Sequence, residues 1–142
     1  MYFAKKKKKK RGFTLIELLV VIAIIGILAT IVIVNVNAAR SKAQNTAVKG
    51  SLDALRAGAE LYYDTNSYSY LNFCSGTDYA KAVTTIQNNN GGDAPYCLAT
   101  ADAYAVSATL RVAEGTNAAW CVDSTGKSQA IATELAVGTA CP

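Results

Sequence analysis

Histidine is absent from all 142 residues, which removes the side chain most used as a general base near neutral pH and as a metal ligand. Cysteine occurs four times but never as a C-x-x-C pair, so the usual spacing of a zinc site is missing as well. The carboxylates Asp78, Asp93, Asp102 and Asp123 are scattered and show no pairing pattern suited to acid–base chemistry. Taken together these absences argue against an enzyme and lead us to expect no cofactor and no metal. Basic side chains are equally scarce beyond residue 63, where only Lys81, Arg111 and Lys127 occur. Binding a nucleic-acid backbone needs clustered Lys and Arg, so nucleic acid is not an expected partner. Gly126-Lys127-Ser128 looks like the end of a phosphate loop, but the glycine required five positions earlier is Cys121. No internal repeat and no separate second domain are visible.

What the chain does have is concentrated at its start. Lys5 to Arg11 is an unbroken basic tract holding seven of the fourteen basic residues. From Phe13 onward seven basic side chains face ten acidic ones, a balance of −3, so the formal +4 of the whole chain belongs to the leader. Directly after Gly12 an apolar run extends from Phe13 to Val34, 22 residues, roughly 33 Å of helix and enough for a bilayer core. A secretory signal would have a shorter apolar core closely followed by a small-x-small cleavage site. The basic tract therefore reads as a positive-inside signal that keeps residues 1–12 in the cytoplasm and sends the rest outward. Glu17 is the single charge in the run. A carboxylate in hydrocarbon costs a few kcal/mol even on lenient scales, so it needs a functional reason or a route to the interface.

Helical periodicity continues past the membrane segment. Val48, Leu52, Leu55, Ala59 and Tyr62 form a narrow apolar stripe. Lys49, Asp53, Arg56 and Glu60 alternate in sign on a neighbouring face, as a solvated face with i,i+4 pairs would. One helix is predicted from about Thr14 to Tyr63, ended by Asp64-Thr65-Asn66-Ser67. Residues 65–99 have little pattern beyond a short helix around Asp78 to Gln87 and a turn-rich loop from Gln87 to Asp93, extended by Pro95. Three strands are predicted next: Tyr104 to Val112, Ala118 to Val122 and Lys127 to Ala132, separated by turns at Glu114–Asn117 and Asp123–Gly126. One face of this sheet on the helix stripe would bury Trp120. Cys74, Cys97, Cys121 and Cys141 all fall in the exported part, which favours two disulfides with three possible connectivities. Seven tyrosines between Tyr62 and Tyr104 are many for so small a domain, and they suit either core packing or contacts with other subunits.

The stretch Gly12-Phe13-Thr14-Leu15-Ile16-Glu17, continuing to Ala29 and preceded by a lysine leader, closely resembles the class III signal of type IV pilins and related pseudopilins. The motif covers about residues 5–34. The resemblance implies that a prepilin peptidase cuts between Gly12 and Phe13 and that the new amino group of Phe13 is methylated. A glycine before the cut offers no side chain to clash in a protease cleft. It also implies that Glu17 pairs with the N-terminal amine of an adjacent subunit, relieving the burial cost of both charges. Copies of the chain itself would then be its main partners, with membrane lipid before assembly and a platform protein and assembly ATPase to drive it. Many type IV pilins have a proline near the end of the apolar segment; here that position is about Val34, with no proline to weaken the helix.

The expected fold is therefore α+β and pilin-like: a long N-terminal helix, half transmembrane and half amphipathic, packed on a small antiparallel sheet of about three strands. The expected organisation is a cleaved cytoplasmic leader (1–12), a transmembrane segment (13–34), its amphipathic continuation (35–63) and an extracellular globular domain (64–142). The cysteine pairing carried forward is Cys74 with Cys97, closing the Asn/Gly loop. Cys121 with Cys141 would tie down the carboxy-terminal tail, as in the disulfide loop of many pilins. The expected function is a structural subunit held in the cytoplasmic membrane and then assembled into an extracellular fibre. Alternatives are a pseudopilin of a type II-like secretion system, a DNA-uptake minor pilin, and an anchored domain that never assembles.

Overall fold

The computed structural model describes residues 12–142; the basic tract Lys5 to Arg11, on which the topology expectation rests, lies outside the described residues. The chain runs through helix α1 (Leu15–Thr65), a 3-10 turn (Phe73–Ser75), helix α2 (Thr77–Asn90) and strands β1 (Tyr96–Ala99), β2 (Tyr104–Glu114), β3 (Asn117–Asp123) and β4 (Ser128–Ile131). A long helix followed by one antiparallel sheet is the α+β arrangement expected. The sheet has four strands in the order β1-β2-β3-β4, one more than the pattern indicated. Two compact units divide between Asn37 and Ala38.

In the first unit, every large apolar side chain from Phe13 to Val36 is at least 47 % exposed. A helix that is apolar all round and unburied is what a bilayer accepts, and by length and composition α1 is able to cross one. No proline interrupts it. The hydroxyl of Thr30 donates back to the carbonyl of Gly26 at 3.0 Å, so a polar group at mid-segment is satisfied within the helix.

In the second unit the α1 stripe reaches the core as its spacing required. Val48, Leu52, Leu55 and Ala59 are all buried, with Ile86 of α2 and Tyr104, Val106, Ala108, Leu110 and Val122 of the sheet in the same cluster. Each fully buried Leu or Val contributes about 1.5–3 kcal/mol. The alternation of β2 sends Ala105 and Ser107 to the opposite face, where Ala119, Cys121 and Ile131 pack with Leu135 and Cys141 of the tail. Small residues on that face let the tail lie close against the sheet.

The charged face of α1 is corrected by the structure. None of the i,i+4 pairs Lys49–Asp53 or Arg56–Glu60 forms among the described residues. Each charge instead reaches a separate element. Lys49 pairs with Glu114 at 2.6 Å, Asp53 accepts from Ser128 Oγ at 2.7 Å, and Arg56 donates to the Gly126 carbonyl at 2.8 Å. Glu60 accepts from Tyr70 at 3.1 Å. Spacing revealed the face but not the β-turns and hairpin ends that fold over it.

Three further expectations also differ. α2 runs on to Asn90, because the stop is Gly91 at φ 114, whose amide closes onto Gln87; the asparagines read as loop are its last turn. β1 lies in the stretch that showed no pattern. Its four residues follow Pro95 and are held by pairing, with Cys97 opposite Val106. Trp120 is only partly buried: its ring is covered by the Lys49 ammonium 4.6 Å from the centroid, and its indole N–H donates to Ser128 Oγ at 3.0 Å.

The tyrosines divide as well. Tyr63 meets Tyr70, Tyr70 meets Tyr104 and Tyr104 meets Phe73, a run of tilted rings with centroids 4.5, 4.9 and 5.4 Å apart. Burial, with the neighbouring Glu60, pushes the Tyr70 hydroxyl up to about 12, and burial raises Tyr104 further. These rings are core. Tyr68, at 70 % exposed, is not.

Candidate functional site

The junction singled out by the sequence is held by an N-terminal cap. Gly12, Phe13 and Thr14 precede the first helical residue, and a Cβ added at Gly12 would meet nothing within 4 Å. Thr14 is the N-cap. Its amide and its hydroxyl both donate to Glu17 Oε2 at 2.9 Å, and its Oγ1 accepts from the Glu17 amide at 3.3 Å. This is a capping box, in which residues N-cap and N3 satisfy each other's orphan backbone donors. Its signature, Thr-x-x-Glu ahead of an apolar run, is plain in the sequence, yet the sequence reading considered Glu17 only as an intramembrane charge. The carboxylate sits at the helix start, where the macrodipole favours negative charge.

The consequence is geometric. The helix begins at Leu15, so the Gly12–Phe13 bond stays outside it, and Gly12 and Phe13 are both exposed. Glu17 belongs to the first turn and is anchored on its N-terminal side.

The four cysteines are joined as Cys74–Cys97 and Cys121–Cys141. The first ties the 3-10 turn to β1. The second ties the tail to β3, and here a further residue matters that sequence reasoning passed over as a turn. Asp123 is fully buried. Its Oδ1 accepts from the Thr125 amide and hydroxyl and from the Lys127 amide, at 2.9, 2.6 and 3.2 Å. Its Oδ2 accepts from the Cys141 amide at 2.7 Å. Burial alone would raise its pKa, but the bonds from Thr125, Cys141 and Lys127 outweigh it and hold the carboxyl below its ordinary value. Lys127, part of the discarded phosphate-loop string, donates to the carbonyls of Cys141 and Pro142 at 2.8 and 3.2 Å. The tail is thus clamped by a disulfide, a buried carboxylate and an ammonium. Farther along it, Glu134 accepts from the Tyr96 amide at 3.0 Å, and burial raises its pKa.

Among the described residues no group of three or more Cys, Asp or Glu side chains is placed to hold a metal. What the arrangement offers is an exposed Gly–Phe bond, an anchored carboxylate next to it, an apolar helix and a disulfide-braced domain.

Residues 7–33 match the family described as the prokaryotic N-terminal methylation motif. The chain is 49 % identical over 63 residues to the type IV wide pilus major component PilA4 of Thermus thermophilus, covering 44 % of this chain and 48 % of that one. It is 39 % identical over 62 residues to the type II secretion system core protein G of Klebsiella michiganensis, covering 44 % of each. To the core protein G of Escherichia coli it is 38 % identical over 65 residues, covering 45 % of each. The chain thus spans less than half the length of these curated relatives. No solved structure matches it significantly. The similarity lies in the N-terminal segment, which resembles that of a type IV pilus component and of type II secretion core proteins.

Proposed function

We propose that the chain is a structural subunit of a type IV pilus-like filament. A prepilin peptidase cuts between Gly12 and Phe13 and methylates Phe13. The subunit waits in the cytoplasmic membrane on residues 13–34, with residues 1–12 inside. It then assembles with copies of itself into an extracellular fibre whose apolar helices form the core and whose domain coats the outside. A platform protein and an assembly ATPase, both separate chains, supply the work.

The observation that carries this reading is the junction: an exposed Gly12–Phe13 bond followed by a capped apolar helix with Glu17 in its first turn. In a bilayer the Glu17 carboxylate and the new Phe13 amine are each costly alone. Breaking such a pair in a low-dielectric site costs about 3–5 kcal/mol, so a subunit docked in the wrong register is rejected. Glu17 therefore acts as a register device between subunits.

Mass spectrometry of fibres sheared from the cell surface tests the proposal. A dominant peptide beginning at methylated Phe13 is the expected result. Fibres that lack the chain, or a surface form still carrying Gly12, would overturn it. Relatives named for type II secretion support a second reading, a pseudopilin in a short periplasmic assembly. That reading expects the same processed Phe13 but in the envelope fraction, with secretion lost on deletion.

A further inference from the structure

Seven basic side chains follow Gly12, and the fold gives four of them a partner. Lys49 pairs with Glu114 and Lys81 with Asp78, Arg56 donates to the Gly126 carbonyl, and Lys127 donates to those of Cys141 and Pro142. Arg40 and Lys42 are exposed, and among the described residues neither side chain has an ion pair. Arg111 is the third without one, but it lies on β2. Arg40 and Lys42 are the first charges after Glu17, and no acidic residue occurs between Glu17 and Asp53. Glu114, which the fold brings to this stretch of α1, is already engaged by Lys49 at 2.6 Å and by the Asn45 amide at 3.0 Å. The remainder has the opposite balance: residues 53–142 hold nine acidic and four basic side chains.

Position along the chain supplies the partner. The apolar run ends at Val34, and Arg40 and Lys42 follow in the same helix, about 9 and 12 Å of helical rise later. Lipid headgroups occupy about 5–7 Å beyond the hydrocarbon. Side chains on a helix lean toward its N-terminus, and long Arg and Lys stems lie along apolar surface while their charged heads seek polar surroundings. We propose that Arg40 and Lys42 form a docking surface for the phosphates of anionic lipid on the outward side of the membrane. Arg40 offers a planar fork that suits a phosphate bidentately, and Lys42 a compact charge. The leader's cations leave with the Gly12–Phe13 cut. In the processed chain Arg40 and Lys42 are therefore the basic side chains nearest the apolar run, and they fix how deep it sits. The acidic remainder is repelled by the same lipid. The inference rests on the membrane-held stage proposed above and adds the lipid chemistry that holds it.

The test places the full chain in vesicles of phosphatidylcholine alone, or of equal parts phosphatidylcholine and phosphatidylglycerol. Lysines are acetylated and arginines treated with phenylglyoxal, and the rate at each residue is read by peptide mass spectrometry. Lys81 and Arg111, both exposed, serve as references. Labelling of Lys42 and Arg40 should slow about fivefold in the anionic vesicles, the attraction of one cation to such a surface. The references should not change, and inorganic phosphate added to the neutral vesicles should protect neither residue. Equal labelling in the two vesicles would overturn the inference. So would equal protection of the references, or protection by inorganic phosphate alone. Unprotected Arg40 and Lys42 in a chain whose fibres begin at methylated Phe13 would sink this inference and leave the filament reading standing. Protection in a chain absent from fibres would do the reverse.

Discussion

The side-chain amide of Asn45 pairs with the backbone of Val112 in both directions, donating to its carbonyl at 2.8 Å and accepting from its amide at 3.2 Å. It lies where the β2–β3 ladder slips register between Thr109 and Glu114. A helix side chain thus stands in for a strand neighbour, and it is almost fully buried. The same amide donates to Glu114 Oε1 at 3.0 Å.

Replacing Asn45 with Leu is expected to cost about 2–4 kcal/mol, since the amide and carbonyl of Val112 would lose the buried side chain that pairs with them. Urea unfolding of the full chain in detergent measures this. Asn45→Gln should recover little, because one added methylene displaces both bonds. A cost below about 0.5 kcal/mol, the level of an ordinary surface change, would show that the pairing does not hold the hairpin.

Asp123 makes a pH-dependent prediction. Its folded pKa is depressed, so the stability it contributes is present above the ordinary 3.8 and lost as pH falls through its lower folded value. Asp123→Asn should be less stable at pH 7, because one carboxylate oxygen becomes an NH2 facing the Cys141 amide. Its unfolding midpoint should also change less between pH 5 and pH 2 than that of the wild type, a range of about three units around the carboxylate value. Parallel pH profiles would refute the assignment.

Glu134 has the opposite sign. Burial raises its folded pKa above the ordinary 4.5, with Asp93 adding to the effect against the bond from the Tyr96 amide. The stability favoured by its protonated form is present below 4.5 and lost as pH rises through the folded value. Glu134→Gln keeps an acceptor for Tyr96 without the buried charge. It should raise the thermal midpoint at pH 7 and change it little at pH 4. A lower midpoint at pH 7 would mean that the charge itself is needed.

The chain has a single tryptophan, so Trp120 reports directly on its surroundings. Lys49→Met removes both the ammonium over the ring and the partner of Glu114. The expected result is a changed emission intensity and a loss of about 0.5–2 kcal/mol. Unchanged fluorescence would place the ammonium elsewhere in solution.

Legibility followed the range of the interaction that decides each feature. Val48, Leu52, Leu55 and Ala59 were readable as a buried stripe because helical period alone puts them on one side. Strand β2 was readable from its alternation of larger and smaller side chains. Strand β1 was not, since four residues after a proline carry no alternation, and their pairing partner Tyr104–Ser107 lies beyond a turn. The Thr14–Glu17 cap is legible as Thr-x-x-Glu, since it depends on residues within one helical turn. Asp123 sat in a stretch readable as a turn, but the amide of Cys141 that makes it a clamp is 18 residues away.

The apolar helix, its basic flank, the Gly12-Phe13 junction and the place of Glu17 in the first turn were all legible in the order of residues alone. These depend on composition and on contacts within one turn of helix. What the charges of α1 bind, and how a disulfide, Asp123 and Lys127 together hold the tail, emerged only in the folded chain. Such facts depend on which groups from distant segments meet and at what angle, and no local period encodes that.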